Sequence, residues 1–213
     1  MTLSTYLLYL GAVALLVLSP GPTMLMCMTC SLQHGPRKAL AAAAGSVTAV
    51  LGTMLLSALG LGALLAASET AFWVLKALGA AYLIWLGVKT FRSTGSVFDQ
   101  LPASGINAPA STSARKLFAQ GLVVGGSNPK AILFFTAFFP QFLDPAAAWA
   151  PQFAVLASTF VAFEFTVLGL CAAGVARLAP ALRHGNRMRW FNRVSGGLFA
   201  LMGSLLLATR RAA

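Results

Sequence analysis

The sequence predicts an all-α integral membrane protein of six transmembrane helices, arranged as two inverted three-helix repeats with helices one and four broken. Three observations carry this reading. The chain of 213 residues is 58% hydrophobic and 9% charged, with a mean hydropathy of +0.81, a composition that cannot cover a water-facing surface. Six apolar segments reach the roughly 20 residues that a helix needs to cross a bilayer core. Two of them are interrupted at corresponding places, by Ser19-Pro20-Gly21-Pro22 and by Ser127-Asn128-Pro129-Lys130.

The first span covers about 5–32. It lacks a basic leader and stays apolar past any plausible cleavage point, so it reads as a retained helix and not a removed signal peptide. Proline has no N–H to donate and its ring clashes with the preceding turn, so Pro20 and Pro22 should split this helix. The second span, 39–67, is rich in small residues such as Ala41 to Ala44, Gly45 and Gly52, which let membrane helices approach closely. The third, 71–91, carries Lys76 within about two turns of one end, near enough for its stem to reach the interface. Residues 93–116 are rich in Ser, Ala, Pro and Gly and read as a linker. The linker separates a first repeat (about 1–92) from a second (about 117–213) within one transporter domain.

The fourth span, 117–143, is broken at Pro129, and the second break begins at residue 127 against residue 19 for the first. The fifth, 153–178, holds Glu164, the only acidic residue inside an apolar segment. The sixth, 191–208, carries Gly196, Ala200 and Ser204 at four-residue spacing. That stripe reads first as packing within the bundle and second as a homodimer face. With three spans per half, the halves run in opposite directions, so their kinship is that of an inverted repeat.

The net charge of +11 would suggest nucleic acid in a soluble protein, but here its distribution encodes orientation. Arg37 and Lys38, then Lys89, Arg92, Arg115 and Lys116, then Arg177, Arg183, Arg187, Arg189 and Arg193 lie on loops after odd-numbered spans, while Glu69 and Asp144 lie on the opposite loops. The positive-inside rule puts the basic loops in the cytoplasm and the N-terminus outside a bacterial-type cytoplasmic membrane. Arg210 and Arg211 run against this on a short tail, and three concordant loops outweigh them.

Chemistry concentrates at the breaks and at Glu164. Hydrocarbon tolerates unpaired backbone groups only where they face protein or a polar cavity. Paired Pro/Gly interruptions in two halves point to a substrate site between repeats. Pro22 and Pro129 each suit the first position of a restarted helix and Asn128 suits its cap. The restarts offer free N–H groups and a dipole end to a carboxylate, with the Thr23 hydroxyl beside the first. A charge at mid-membrane costs on the order of 2.5–3.5 kcal/mol even on lenient scales, so Glu164 should face a cavity, where it suits proton coupling. Lys130 has two readings, neutralising Glu164 or binding a substrate carboxylate. Cys27-Met28-Thr29-Cys30 has the spacing of thiol carriers, the basis of an alternative function as a membrane thiol-disulfide carrier, although two small residues one turn apart within an apolar helix read better as packing. No metal cluster, P-loop or dinucleotide fingerprint occurs, so neither cofactor nor metal is expected, nor enzymatic activity.

At these residues the chain resembles the LysE/RhtB-type amino-acid exporters, in particular the homoserine, homoserine lactone and threonine efflux branch. Leu18-Ser19-Pro20-Gly21-Pro22 with Ser31-Leu32-Gln33-His34-Gly35, the run from Leu75-Lys76 to Trp85-Leu86-Gly87, and Asn128-Pro129-Lys130 through Phe139-Pro140-Gln141-Phe142 carry the resemblance. It implies secondary export of small amino acids or derivatives, driven by protons, and it adds Lys76 to the residues lining the path. The substrate-binding set is then Ser19, Pro20, Gly21, Pro22, Thr23, Lys76, Asn128, Pro129, Lys130 and Glu164, with Glu164 coupling protons.

Overall fold

In the computed structural model, residues 1–67, 69–93, 112–144, 146–182 and 185–208 are described. Every regular element among them is helical: α1 (Leu3–Leu18), α2 (Pro22–His34), α3 (Pro36–Ala67), α4 (Glu69–Arg92), α5 (Ala114–Gly126), α6 (Pro129–Leu133), a π turn (Phe134–Phe138), a 3-10 turn (Phe139–Phe142), α7 (Trp149–Leu182) and α8 (Gly185–Ala208). Each apolar segment of the sequence is thus helical, and the first and fourth are divided at the expected places. By length and composition, Pro36–Gly60 and Trp149–Val175 are each apolar enough to cross a membrane alone, and α1 with α2, bent by 49°, passes the same test only as a pair, which gives two or three candidate spans among the described residues. The fold class is therefore all-α with an apolar bundle.

Local differences from the sequence reading have local causes. Helix α5 starts at Ala114, before the linker was expected to end, because Ser113 accepts a hydrogen bond from the Lys116 N–H and caps it. Residues 94–111, the bulk of that linker, and Arg210 and Arg211 lie outside the described residues. The fourth segment does not resume as a regular α-helix for its whole length. Beyond Leu133 it widens into the π turn and tightens into the 3-10 turn, where Pro140 has no N–H to continue the ladder.

The core forms two clusters. One is aromatic: Tyr9 of α1 and Phe134, Phe135, Phe138, Phe139 and Phe142 of the turns pack with Phe160 of α7, with edge-on ring pairs such as Phe135–Phe160 at 4.9 Å and Tyr9–Phe142 at 5.1 Å. The Tyr9 hydroxyl donates to the Leu156 carbonyl at 2.9 Å, which satisfies the polar end of a fully buried ring. The other cluster is built of sulfur and small groups, with Met24, Cys27, Met28 and Cys30 of α2 against Ala39, Ala42 and Ala43 of α3 and Leu168 and Ala172 of α7. Outward-facing positions such as Leu8, Leu56, Leu170 and Leu201 are apolar as well, as expected of a bundle solvated by lipid. At one end the Gln152 amide ties Asp144, Ala147 and Ala148 together. The N-terminal ammonium sits 3.5 Å from the Asp144 carboxylate there.

Glycines set the two closest helix pairs. On α5, a Cβ at Gly121 would fall on the Ala42 carbonyl of α3, and one at Gly125 would lie 2.6 Å from the Ser46 hydroxyl. On α4, a Cβ at Gly87 would lie 2.6 Å from the Gly196 carbonyl and 3.0 Å from the Ala200 methyl of α8. The Gly196/Ala200 stripe is thus occupied inside this chain. Gly121→Val should force α3 and α5 apart and lower the midpoint of thermal unfolding in detergent by about 5 °C or more, the scale of an overpacked core. Gly126→Ala, whose new methyl would meet only the Ala49 methyl at 3.6 Å, should leave it nearly unchanged. Equal midpoints for the two variants would refute the close-packing account.

Candidate functional site: two helix breaks around one cavity

The first break follows from proline chemistry. A residue before proline is pushed out of the helical region, and Ser19 is extended (φ −67°, ψ 120°), its N–H closing the last turn of α1 on Leu15. Gly21 is extended too, and Pro22 opens α2 with no side-chain cap on its free N–H groups. At the second break Asn128 precedes Pro129 in the same extended conformation. Its Oδ1 accepts from the Lys130 N–H at 3.1 Å, so α6 is capped where α2 is not.

The fold brings the two breaks together. Asn128 Nδ2 donates to the Thr23 hydroxyl at 3.1 Å, and Lys130 Nζ donates to the carbonyls of Leu16 at 2.8 Å and Ser19 at 2.5 Å. Lys130 therefore closes the frayed carbonyl end of α1, a role that adds to the two readings taken from the sequence. Those carbonyls have lost their helical partners at the break, and a cation is a strong donor to them. Between the breaks lies a cavity of about 20 Å³ lined by Ser19, Gly21, Thr23, Asn128, Lys130 and Glu164 as its polar groups, room for about one water. Leu16, Val17, Met24, Val50, Ala131, Phe160 and Leu168 complete it, drawn from both core clusters, so it sits on the seam between them. Glu164 is half-buried on α7 and shares the cavity with Lys130, without an ion pair within 4 Å between them among the described residues.

Of the residues expected at the site, Ser19, Gly21, Thr23, Asn128, Lys130 and Glu164 meet there. Pro20, Pro22 and Pro129 do not line the cavity, and Pro22 and Pro129 are exposed; they act by shaping the backbone. Lys76 belongs to α4, and its side chain lies outside the described residues. The apolar wall was missed, although Phe160, Glu164 and Leu168 follow one another at helical spacing and one face of α7 was legible to that extent. Cys27 and Cys30 are free and buried in the second cluster, with the Cys27 thiol 3.5 Å from the Leu168 carbonyl, the setting of packing residues. A Cys27→Ser/Cys30→Ser variant should retain at least half of parental transport, and its loss in a normally folded variant would restore the thiol reading.

Broken helices that face each other around a small polar cavity, inside an apolar helical bundle, define the class as a membrane transporter. The LysE type translocator family matches residues 14–210, and the chain belongs to that family; it is a transporter and not an enzyme. The chain is similar, at 36% identity over the whole of both proteins, to a homoserine/homoserine lactone efflux protein of Salmonella typhimurium. It is 34% identical to an uncharacterized membrane protein of Vibrio cholerae, again over the whole of both. It is also 30% identical to a leucine efflux protein of Enterobacter sp., over 91% of this chain and 89% of that one. No solved structure matches it.

Proposed function

We propose that this LysE-type amino-acid efflux transporter exports small amino acids or their derivatives, homoserine, homoserine lactone and threonine foremost, from the cytoplasm in exchange for protons. The observation that carries the reading is the meeting of two helix breaks, far apart in sequence, around one cavity that also holds Glu164. The substrate carboxylate, or the ester carbonyl in its place when the substrate is the lactone, is held by the uncapped N–H groups that open α2, beside the Lys130 ammonium. Glu164 takes either the substrate ammonium or a proton, so occupancy by one excludes the other. The chain works as a single domain of six spans in two inverted repeats, with the N-terminus and the Asp144 loop outside and the basic loops in the bacterial cytoplasm. Alternating access moves the repeats about the fixed site.

Charge bookkeeping at the site favours neutral amino acids. Lys130 and Glu164 offset one another and a zwitterion adds no net charge, whereas a lysine side chain would bring a second cation with no further carboxylate among the lining residues. Uptake of labelled homoserine, threonine, leucine and lysine into inverted vesicles, with and without a proton gradient, tests this directly. Homoserine or threonine should accumulate only with the gradient. Accumulation that ignores the gradient rules out proton exchange, and uptake of lysine alone rules out the substrate class.

A further inference from the structure

The central cavity is too small for an amino acid, but a second, larger and more open cavity lies on the neighbouring face of α2. About 320 Å³ in volume, it lies between α2 and α5 and is lined by Pro22, Leu25, Met26, Thr29, Cys30, Gln33, Gln120 and Val124. This is within the size range of small-molecule pockets. The first turn of α2 stands between the two cavities: Gly21 and Thr23 line the central one while Pro22, between them, lines the other. Its far end reaches Gln33, four and five residues before Arg37 and Lys38 in the first turn of α3, the end that the positive-inside rule makes cytoplasmic.

Its polar groups are unspent. Among the described residues the side chains of Thr29, Gln33 and Gln120 line the cavity yet make no hydrogen bond, whereas Thr23, Asn128 and Lys130 at the helix breaks are tied up. Two primary amides and a hydroxyl, set among Leu, Met and Val side chains with no charged residue in the lining, suit a neutral zwitterion. The amides donate to a carboxylate and accept from an ammonium, and the apolar wall takes a short side chain.

We propose that this cavity is a cytoplasmic loading site for the substrate, in which Gln33 and Gln120 hold a small neutral amino acid before it passes the Pro22 turn to the central site. The proposal rests on the export reading above. It makes Gln33 and Gln120 determinants of affinity on the cytoplasmic side alone.

The test uses the full-length protein in membrane vesicles of both orientations, with labelled homoserine. Gln33→Leu and Gln120→Leu should each raise KM about fivefold or more from the cytoplasmic face, the loss of about one neutral hydrogen bond. The maximal rate from the cytoplasmic face and the KM from the outer face should change less than twofold, while the maximal rate from the outer face falls in proportion, since the driving force fixes the ratio of Vmax/KM in the two directions. Gln120→Glu, which keeps the size and adds a carboxylate, should shift preference from homoserine toward lysine at the cytoplasmic face. Unchanged cytoplasmic KM values in both Leu variants, or equal changes of KM at the two faces, overturn the loading site while leaving the export reading standing if the parent still transports. Failure of the Leu variants to fold leaves the Glu variant to decide, and an unaltered preference there overturns the proposal. A parent protein that transports none of the amino acids overturns the export reading itself.

Discussion

Glu164→Gln is expected to abolish gradient-driven accumulation of substrate, by at least tenfold, while substrate-for-substrate counterflow survives. The substitution keeps the size of the side chain and its capacity to hydrogen-bond an ammonium, but removes the carboxyl proposed to gain and lose a proton. Helix α7 carries Glu164 into the same cavity as the two helix breaks, flanked on its own face by Phe160 and Leu168. Counterflow needs binding and a moving carrier but no proton, so the two assays separate coupling from assembly. Immunoblots of the membrane fraction should show parental amounts, since a neutral amide is less costly in a bundle than an unpaired charge. Parental dependence on the proton gradient in this variant would remove Glu164 from the coupling step.

Lys130→Met should cost both transport and stability, and the second loss is the informative one. Lys130 holds the carbonyls of Leu16 and Ser19 across the two breaks. Methionine fills similar volume but donates nothing, so both acceptors are left unsatisfied in a site with almost no room for water. At about 1–3 kcal/mol for each buried group left without a partner, the midpoint of thermal unfolding in detergent should fall by about 5 °C or more, and export should drop below a tenth of parental. A Lys that served only to bind a substrate carboxylate would leave the unliganded protein as stable as the parent, or more so. An unchanged midpoint would therefore return Lys130 to the ligand-binding role first read from the sequence. Asn128→Leu should behave in the same direction but less severely, because it loses one cap and one hydrogen bond to Thr23 and leaves no carbonyl end open.

The composition, the six apolar segments and the two helix breaks were determined by the sequence alone, because each depends on chemistry confined to a few neighbouring residues. Pro20 forces Ser19 out of the helix, Pro22 restarts it, and Asn128 caps the restart before Pro129 wherever the rest of the chain goes. Glu164 announced itself in the same way, by its cost in an apolar run. The tertiary structure alone decided the partners. A backbone carbonyl has no letter in the sequence, so nothing there marked Leu16 and Ser19 as the acceptors for a lysine more than a hundred residues away. The packing of the π and 3-10 turns that end the fourth segment likewise depends on which helices bring Tyr9 and Phe160 to their aromatic side chains. The Gly121 and Gly196 contacts depend on which helix arrives opposite a small residue, and the cavity between α2 and α5 exists only once those helices are packed. Local backbone chemistry acts within a turn, and packing acts between turns that the sequence keeps apart.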